Sequence, residues 1–138
     1  MQKTSLIRSV GTIVVTYNPD PETLSLQLSR LESQVKNIYI VDNGSQNAHE
    51  VVNAASKVES TTIHLCHKNY GLGRAHNIGI QACRDAGHDA VLILDQDTIP
   101  HEHMVSTLVK SLDHLSQTSP RTSAVGSRYI GASGQSSF

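Results

Sequence analysis

The sequence predicts an α/β fold, a mostly parallel sheet with helices on both faces. Two observations carry that expectation. Short β-branched or continuously apolar runs alternate with stretches whose apolar residues recur at helical spacing, the pattern of a parallel sheet covered on both sides. Polar residues also collect where those runs stop. Thr16-Tyr17-Asn18, Asp42, the loop from Asn69 and Asp95-Gln96-Asp97 each follow an expected strand, along the edge where open α/β sheets bind ligands.

Thr12-Ile13-Val14-Val15-Thr16 is β-branched throughout and reads as a buried first strand. Tyr17-Asn18-Pro19-Asp20-Pro21 breaks it, with Asp20 placed as an N-cap, Pro21 at the first helical position and Glu22 in the first turn. Leu24, Leu28, Leu31 and Val35 follow at helical spacing and form a core-packing face. Ile38-Tyr39-Ile40-Val41 is the second strand, stopped by Asp42-Asn43-Gly44-Ser45, where Asn-Gly is a strong turn signal. A helix through Glu50-Val51-Val52 toward Lys57 leads to the third strand, Thr62-Ile63-His64-Leu65-Cys66. The segment from Asn69 to Gly79 opens a helix reaching about Gly87. It resembles a dinucleotide fingerprint, but His76 stands where the third glycine is required and the segment does not follow the first strand, so a Rossmann site is rejected. Its small residues still permit close backbone approach to a ligand or to the sheet. Residues 89–94 are the fourth strand, an apolar run expected to be buried on both faces. Ile99-Pro100 leads into a helix with Met104, Leu108, Leu112 and Leu115 on one face. Ala124-Val125-Gly126 is expected to begin a fifth strand.

A chain of 138 residues fits one domain, drawn here as 1–130 with a flexible Gly/Ser-rich tail at 131–138. The formal net charge of -1 provides no basic field for nucleic acid or an anionic membrane. No signal-peptide pattern and no run of about 18 apolar residues is present. Cys66 and Cys83 lack CxxC spacing and sit in periodic segments, so buried free thiols of a reducing compartment are expected, with a single disulfide as the alternative. The eight histidines form no HxxxH or HExxH pair, and His101 and His103 read as solvated helix-start residues.

Val91-Leu92-Ile93-Leu94 ends abruptly in Asp95-Gln96-Asp97. Two close carboxylates repel unless a cation neutralises them. Hard oxygen ligands in small number suit Mg2+ or Mn2+ held jointly with a phosphate. A solvated loop pair of acids is the bland alternative.

Together, Val14-Val15-Thr16-Tyr17-Asn18, Val41-Asp42-Asn43-Gly44-Ser45, Asn69 to Gly79 and Leu94-Asp95-Gln96-Asp97-Thr98 closely resemble inverting family 2 glycosyltransferases of the GT-A type. The resemblance runs from about Val10 to Tyr129. The Gly71-Leu72-Gly73-Arg74-Ala75-His76-Asn77 and Asp95-Gln96-Asp97 versions resemble the bacterial rhamnosyltransferase branch that uses dTDP-L-rhamnose. It implies a Rossmann-like nucleotide-diphospho-sugar transferase fold and inverting, metal-assisted transfer to a cell-surface polysaccharide or lipid-linked acceptor. It further implies that Thr16 and Tyr17, with Asn18, lie near the nucleobase and that Asp42 accepts from the pyrimidine N3–H. Asn69, Gly73, Arg74 and Asn77 would hold the nucleotide and its phosphates, Arg74 through its bidentate fork. Asp97 would bind Mn2+ or Mg2+, and Asp95 the ribose or a metal-bound water. Plainer roles stand beside these: Asp42 as a cap, Asn77 as a surface amide, Arg74 as an exposed ion pair. A cytoplasmic protein is implied, peripheral at the inner membrane face in full-length form. A homo-oligomer is allowed.

The family's acceptor half and catalytic base have no matching segment, and Glu102 and Asp113 are not promoted to that role. The expectation is the N-terminal nucleotide-binding portion of a truncated GT-A domain, inactive as 138 residues alone. A non-catalytic nucleotide-sugar-binding fragment is therefore the main alternative. Leu94-Asp95-Gln96-Asp97-Thr98-Ile99 also resembles the DxDxT motif of haloacid-dehalogenase-type phosphatases, though with Thr at the fourth position, but that family needs a later Lys and acidic pair, and its motif usually sits on the first strand.

Overall fold

The computed structural model describes residues 5–119 and 121–127. In chain order these form β1 (Val10–Thr16), α1 (Pro21–Glu32), β2 (Asn37–Asp42), α2 (Ala48–Ala55), β3 (Thr61–Leu65), α3 (Leu72–Asp85), β4 (Ala90–Asp95) and α4 (Met104–Thr118). The strands make one sheet in the order β3-β2-β1-β4, every pair parallel. By compactness the chain divides into residues 1–102, which hold the sheet and three helices, and residues 103–138, which hold α4.

Local chemistry sets the helix ends. Asp20 caps α1 by accepting from the Thr23 backbone N–H at 2.8 Å and the Thr23 hydroxyl at 2.7 Å, with Pro21 starting the helix where a missing N–H costs nothing. α3 ends in a Schellman motif: Gly87 N–H donates to Arg84 O and His88 N–H to Cys83 O, with Gly87 in the left-handed region.

The crossovers β1-α1-β2 and β2-α2-β3 step one way across the sheet, and β3-α3-β4 steps back past β1. Right-handed connections then place α1 and α2 on one face and α3 on the other. On the α3 face Ile13, Val15, Tyr39 and Val41 pack with Ala75 and Cys83. On the opposite face Val14, Ile38 and Ile40 are fully buried, as are Leu24, Leu28 and Leu31 of α1 and Val51 of α2. α3 approaches β1 closely: a Cβ on Gly79 would come within 2.5 Å of Ile13 Cγ2. That glycine serves the sheet and not a ligand.

Three expectations change. β4 is an edge strand, and Val91 and Ile93 are each 42% exposed rather than buried. They register with Gly11 and Ile13 on the α3 face, but α3 lies mainly over β1 and β2. Ala124-Val125-Gly126 is unpaired chain, so among the described residues the sheet has four strands. Two apolar residues ahead of a glycine are too short a run to hold a ladder. In α4 only Val105 is buried, while Met104, Leu108 and Leu112 are half-buried and Leu115 is exposed. Residues 131–138 and Tyr129 lie outside the described residues. Cys66 and Cys83 are free thiols, and burial pushes Cys83 up to about 11.

Candidate functional site

β1 carries β2 on one side and β4 on the other, and the chain leaves β1 and enters β4 through helices on opposite faces. This is the topological switch point, where open α/β sheets bind ligands outside the strand carboxyl ends. The register aligns Thr16 with Asp42 and Val15 with Asp95, so three strand ends finish almost level.

The β1 and β2 ends are joined by polar side chains. Asp42 is 1% exposed. Its Oδ1 accepts from Ser45 N–H at 2.9 Å, and its Oδ2 accepts from the Thr16 hydroxyl at 2.8 Å and from the Ser45 hydroxyl. Asn18 holds a left-handed φ of 46°, which Asn tolerates better than most residues. From there its N–H donates to Ser45 Oγ and its Oδ1 accepts from Gln46 N–H, both at 2.8 Å. Asp42 is thus a turn-holding carboxylate with one acceptor direction left, on Oδ1. Tyr17, next in the chain after Thr16, is 47% exposed.

The β2 end in turn fixes the loop before α3. Buried Asn43 accepts from Tyr70 N–H at 2.9 Å and donates to Asn69 Oδ1 at 3.0 Å, and Asn69 Oδ1 also accepts from Gly71 N–H at 2.8 Å. Tyr70 carries two cations on its ring, the Arg74 guanidinium 4.4 Å and the Lys68 ammonium 5.4 Å from the centroid, both within cation–π range. α3 begins at Gly71 with no side-chain cap and no acidic residue in its first turn. Its unpaired N–H groups and Arg74 therefore make this end electropositive. A Cβ at Gly71 or Gly73 would meet nothing within 4 Å. Asn77 is exposed three residues beyond Arg74, on the same side of α3.

Thr98 N–H donates to Asp95 O at 3.1 Å and closes a β-turn on Asp95-Gln96-Asp97. Asp95 and Asp97 are exposed on it, and neither carboxylate is bonded among the described residues. The turn is held by two amides. Gln96 grips Tyr17 across the switch point, its Oε1 accepting from Tyr17 N–H at 2.8 Å and its Nε2 donating to Tyr17 O at 3.3 Å. Gln27 of α1, fully buried, donates from Nε2 to Asp95 O at 2.6 Å and to Thr98 O at 2.7 Å. Among the described residues no three His, Cys, Asp or Glu gather as a metal cage. Two open carboxylates fit Mg2+ or Mn2+ that completes its shell with phosphate and water.

The structure links Thr16, Tyr17, Asn18, Asp42, Asn69 and Arg74, through their neighbours, into one strand-end network. It leaves Asp97 and Asn77 as exposed members of their own elements. Sequence reasoning passed over Asn43, Tyr70, Gln27 and Gln96 as functional side chains. Gln27 did leave a signal, a polar residue between Leu24 and Leu28 on the buried stripe of α1.

The profile of the family described as Glycosyl transferase family 2 matches residues 12–131. The dTDP-rhamnosyl transferase RfbF of Shigella flexneri is 24% identical over 106 residues, covering 77% of this chain and 35% of that protein. An N-acetylglucosaminyltransferase of Bradyrhizobium sp. (strain ANU 289) is 35% identical over 108 residues, covering 72% of this chain and 68% of the relative. A third relative, an N-acetylglucosaminyltransferase of Bradyrhizobium elkanii, is 33% identical over 115 residues, covering 78% and 61%. The chain spans about a third of the length of RfbF and about two thirds of the Bradyrhizobium proteins.

Proposed function

Since the chain belongs to glycosyl transferase family 2, we propose that its strand-end edge binds a pyrimidine nucleotide-diphospho-sugar for inverting transfer to a saccharide or lipid-linked acceptor. The observation that carries this reading is the switch point itself. An exposed aromatic ring follows β1 and a pair of open carboxylates ends the neighbouring β4, while the electropositive start of α3 follows β3 and is tied to the β2 end through Asn43. Tyr17 offers a ring face to the base. Asp42 accepts the pyrimidine N3–H through its remaining Oδ1 direction, reached when the Ser45 turn relaxes. Arg74, its guanidinium over the Tyr70 ring, meets the diphosphate with the main chain at Gly73, where no side chain intervenes. Asn69 and Asn77 orient the nucleotide. Asp97 binds Mn2+ or Mg2+ and Asp95 takes the ribose or a metal-bound water. When bound, the cation neutralises the diphosphate leaving group.

The donor we propose is dTDP-L-rhamnose, supported by the likeness to RfbF and by the Gly71–Asn77 loop. The N-acetylglucosaminyltransferases, more nearly identical, favour an N-acetylglucosamine donor as the second reading. The transfer itself, its acceptor and its place at the inner face of a membrane belong to the whole protein and are part of the proposal. A binding role without turnover is the alternative. Among the described residues no helix is long and apolar enough to cross a membrane.

Competition between dTDP-rhamnose and UDP-N-acetylglucosamine for the Mn2+-loaded chain tests the donor. Preferential retention of dTDP-rhamnose supports the first reading, and the reverse preference replaces it with the second.

A further inference from the structure

We propose that Gln27 is a positioning residue for metal-supported nucleotide binding, acting through the main chain that carries Asp95 and Asp97. The inference rests on the nucleotide-sugar reading and names a residue, remote from any ligand, that the site depends on.

The argument starts from chemistry. A two-carboxylate site has few protein ligands, so its affinity depends on presenting both oxygens in one geometry before the cation arrives. Asp95 and Asp97 sit on a four-residue turn at the end of an edge strand, with no neighbouring strand beyond it among the described residues. The ladder cannot fix such a turn. Gln27 does so from beneath: both hydrogens of its amide go to the carbonyls at the turn's two ends, Asp95 O and Thr98 O. The same Asp95 carbonyl accepts the turn-closing Thr98 N–H.

The amide is held firmly in turn. Gln27 is fully buried, as are Leu24, Leu28 and Leu31 on the same face of α1, so its side chain has little rotamer freedom. Among the described residues its Oε1 has no partner. A residue kept there only for packing would not need an amide. The arrangement satisfies the two carbonyls and leaves the acceptor of the same group idle, as expected of a side chain present for its two donors. Gln96, from within the turn, then ties it to the main chain of Tyr17, so the turn that carries the carboxylates is anchored at both Gln27 and Tyr17.

The test measures dTDP affinity of the full chain with and without Mn2+, for wild type, Gln27→Met and Gln27→Glu. The first variant keeps the volume without donors, and the second keeps the shape but sets a carboxylate against two carbonyls. The inference expects wild type to gain affinity with Mn2+. Both variants should lose about 10–100-fold of Mn2+-supported affinity while binding without metal stays within about twofold. A purely structural glutamine would lower the unfolding midpoint and leave the Mn2+ increment of the folded fraction intact, which overturns the proposal. Wild type without any Mn2+ increment would instead remove the metal reading beneath it, and the proposal with it. Should neither variant fold, backbone relaxation of wild type decides. Order parameters for residues 95–98 as high as those of α1 support a held turn, and values below about 0.6 overturn it.

Discussion

Replacing Gly44 with alanine should cost the fold and the site together. Gly44 sits at φ +83°, a conformation in which an alanine is strained by about 1–2 kcal/mol. Its Cβ would also lie 2.6 Å from Lys68 C, 2.7 Å from Lys68 Cα and 2.8 Å from Asn69 N. All three are main-chain atoms, so no rotamer change relieves the contact, and overpacking of this kind costs about 1–3 kcal/mol. The expected loss is about 2–5 kcal/mol in urea unfolding, large against the marginal stability of a domain this size. Gly87→Ala is the control, because Gly87 shares a positive φ of 76° but has nothing within 4 Å of the new Cβ. It should lose only the conformational part, about 1–2 kcal/mol. The displaced Lys68-Asn69 backbone also carries Asn69 away from Asn43, so dTDP affinity should fall in Gly44→Ala and hold in Gly87→Ala. Equal destabilisation by the two would refute the close-approach argument.

Asp97→Ala should abolish Mn2+-dependent nucleotide binding and leave the fold intact, since removing one of two neighbouring acids relieves repulsion in the metal-free chain; Asp95→Ala should weaken it less. Undiminished Mn2+-dependent affinity in Asp97→Ala, by calorimetry, would sink that role. Gly73→Ala should raise stability by about 0.5–1 kcal/mol, because the position is helical and open, yet weaken dTDP binding if the main chain there meets the diphosphate. Asp89 accepts from the N–H groups of Arg8 and Ser9, and these bonds hold its carboxyl below the usual 3.8. A depressed carboxyl contributes stability above its unfolded value and loses it as pH falls through the folded one. The stability gap between wild type and Asp89→Asn should therefore be level near neutrality and close below about pH 4; a gap widening in acid contradicts the bond pattern.

What could be read in the sequence follows the range of the interactions. The Asp20 cap, the Asn43-Gly44 turn and the first four strand runs depend on near neighbours, and each lies where the residues indicated. The matching of strand ends followed from alternation alone and proved sufficient to assemble Thr16, Asp42 and Asp95. The two glutamine contacts join residues 68 to 79 positions apart, and no local pattern carries them. Asp42 shows a subtler limit. Its place at a strand end was legible, but its burial beneath Ser45 depends on how the turn folds back. β4 misled because an apolar run records what the strand is able to bury, while its exposure is set by what lies over it.

The central claim is that this strand-end edge recognises a pyrimidine diphosphate together with a divalent cation. Calorimetric titration of the chain with dTDP, ADP and GDP, each with and without Mn2+, addresses both halves at once. The account predicts that dTDP binds more tightly than either purine diphosphate and that Mn2+ strengthens it. Equal affinities for all three nucleotides, unchanged by the metal, would contradict it.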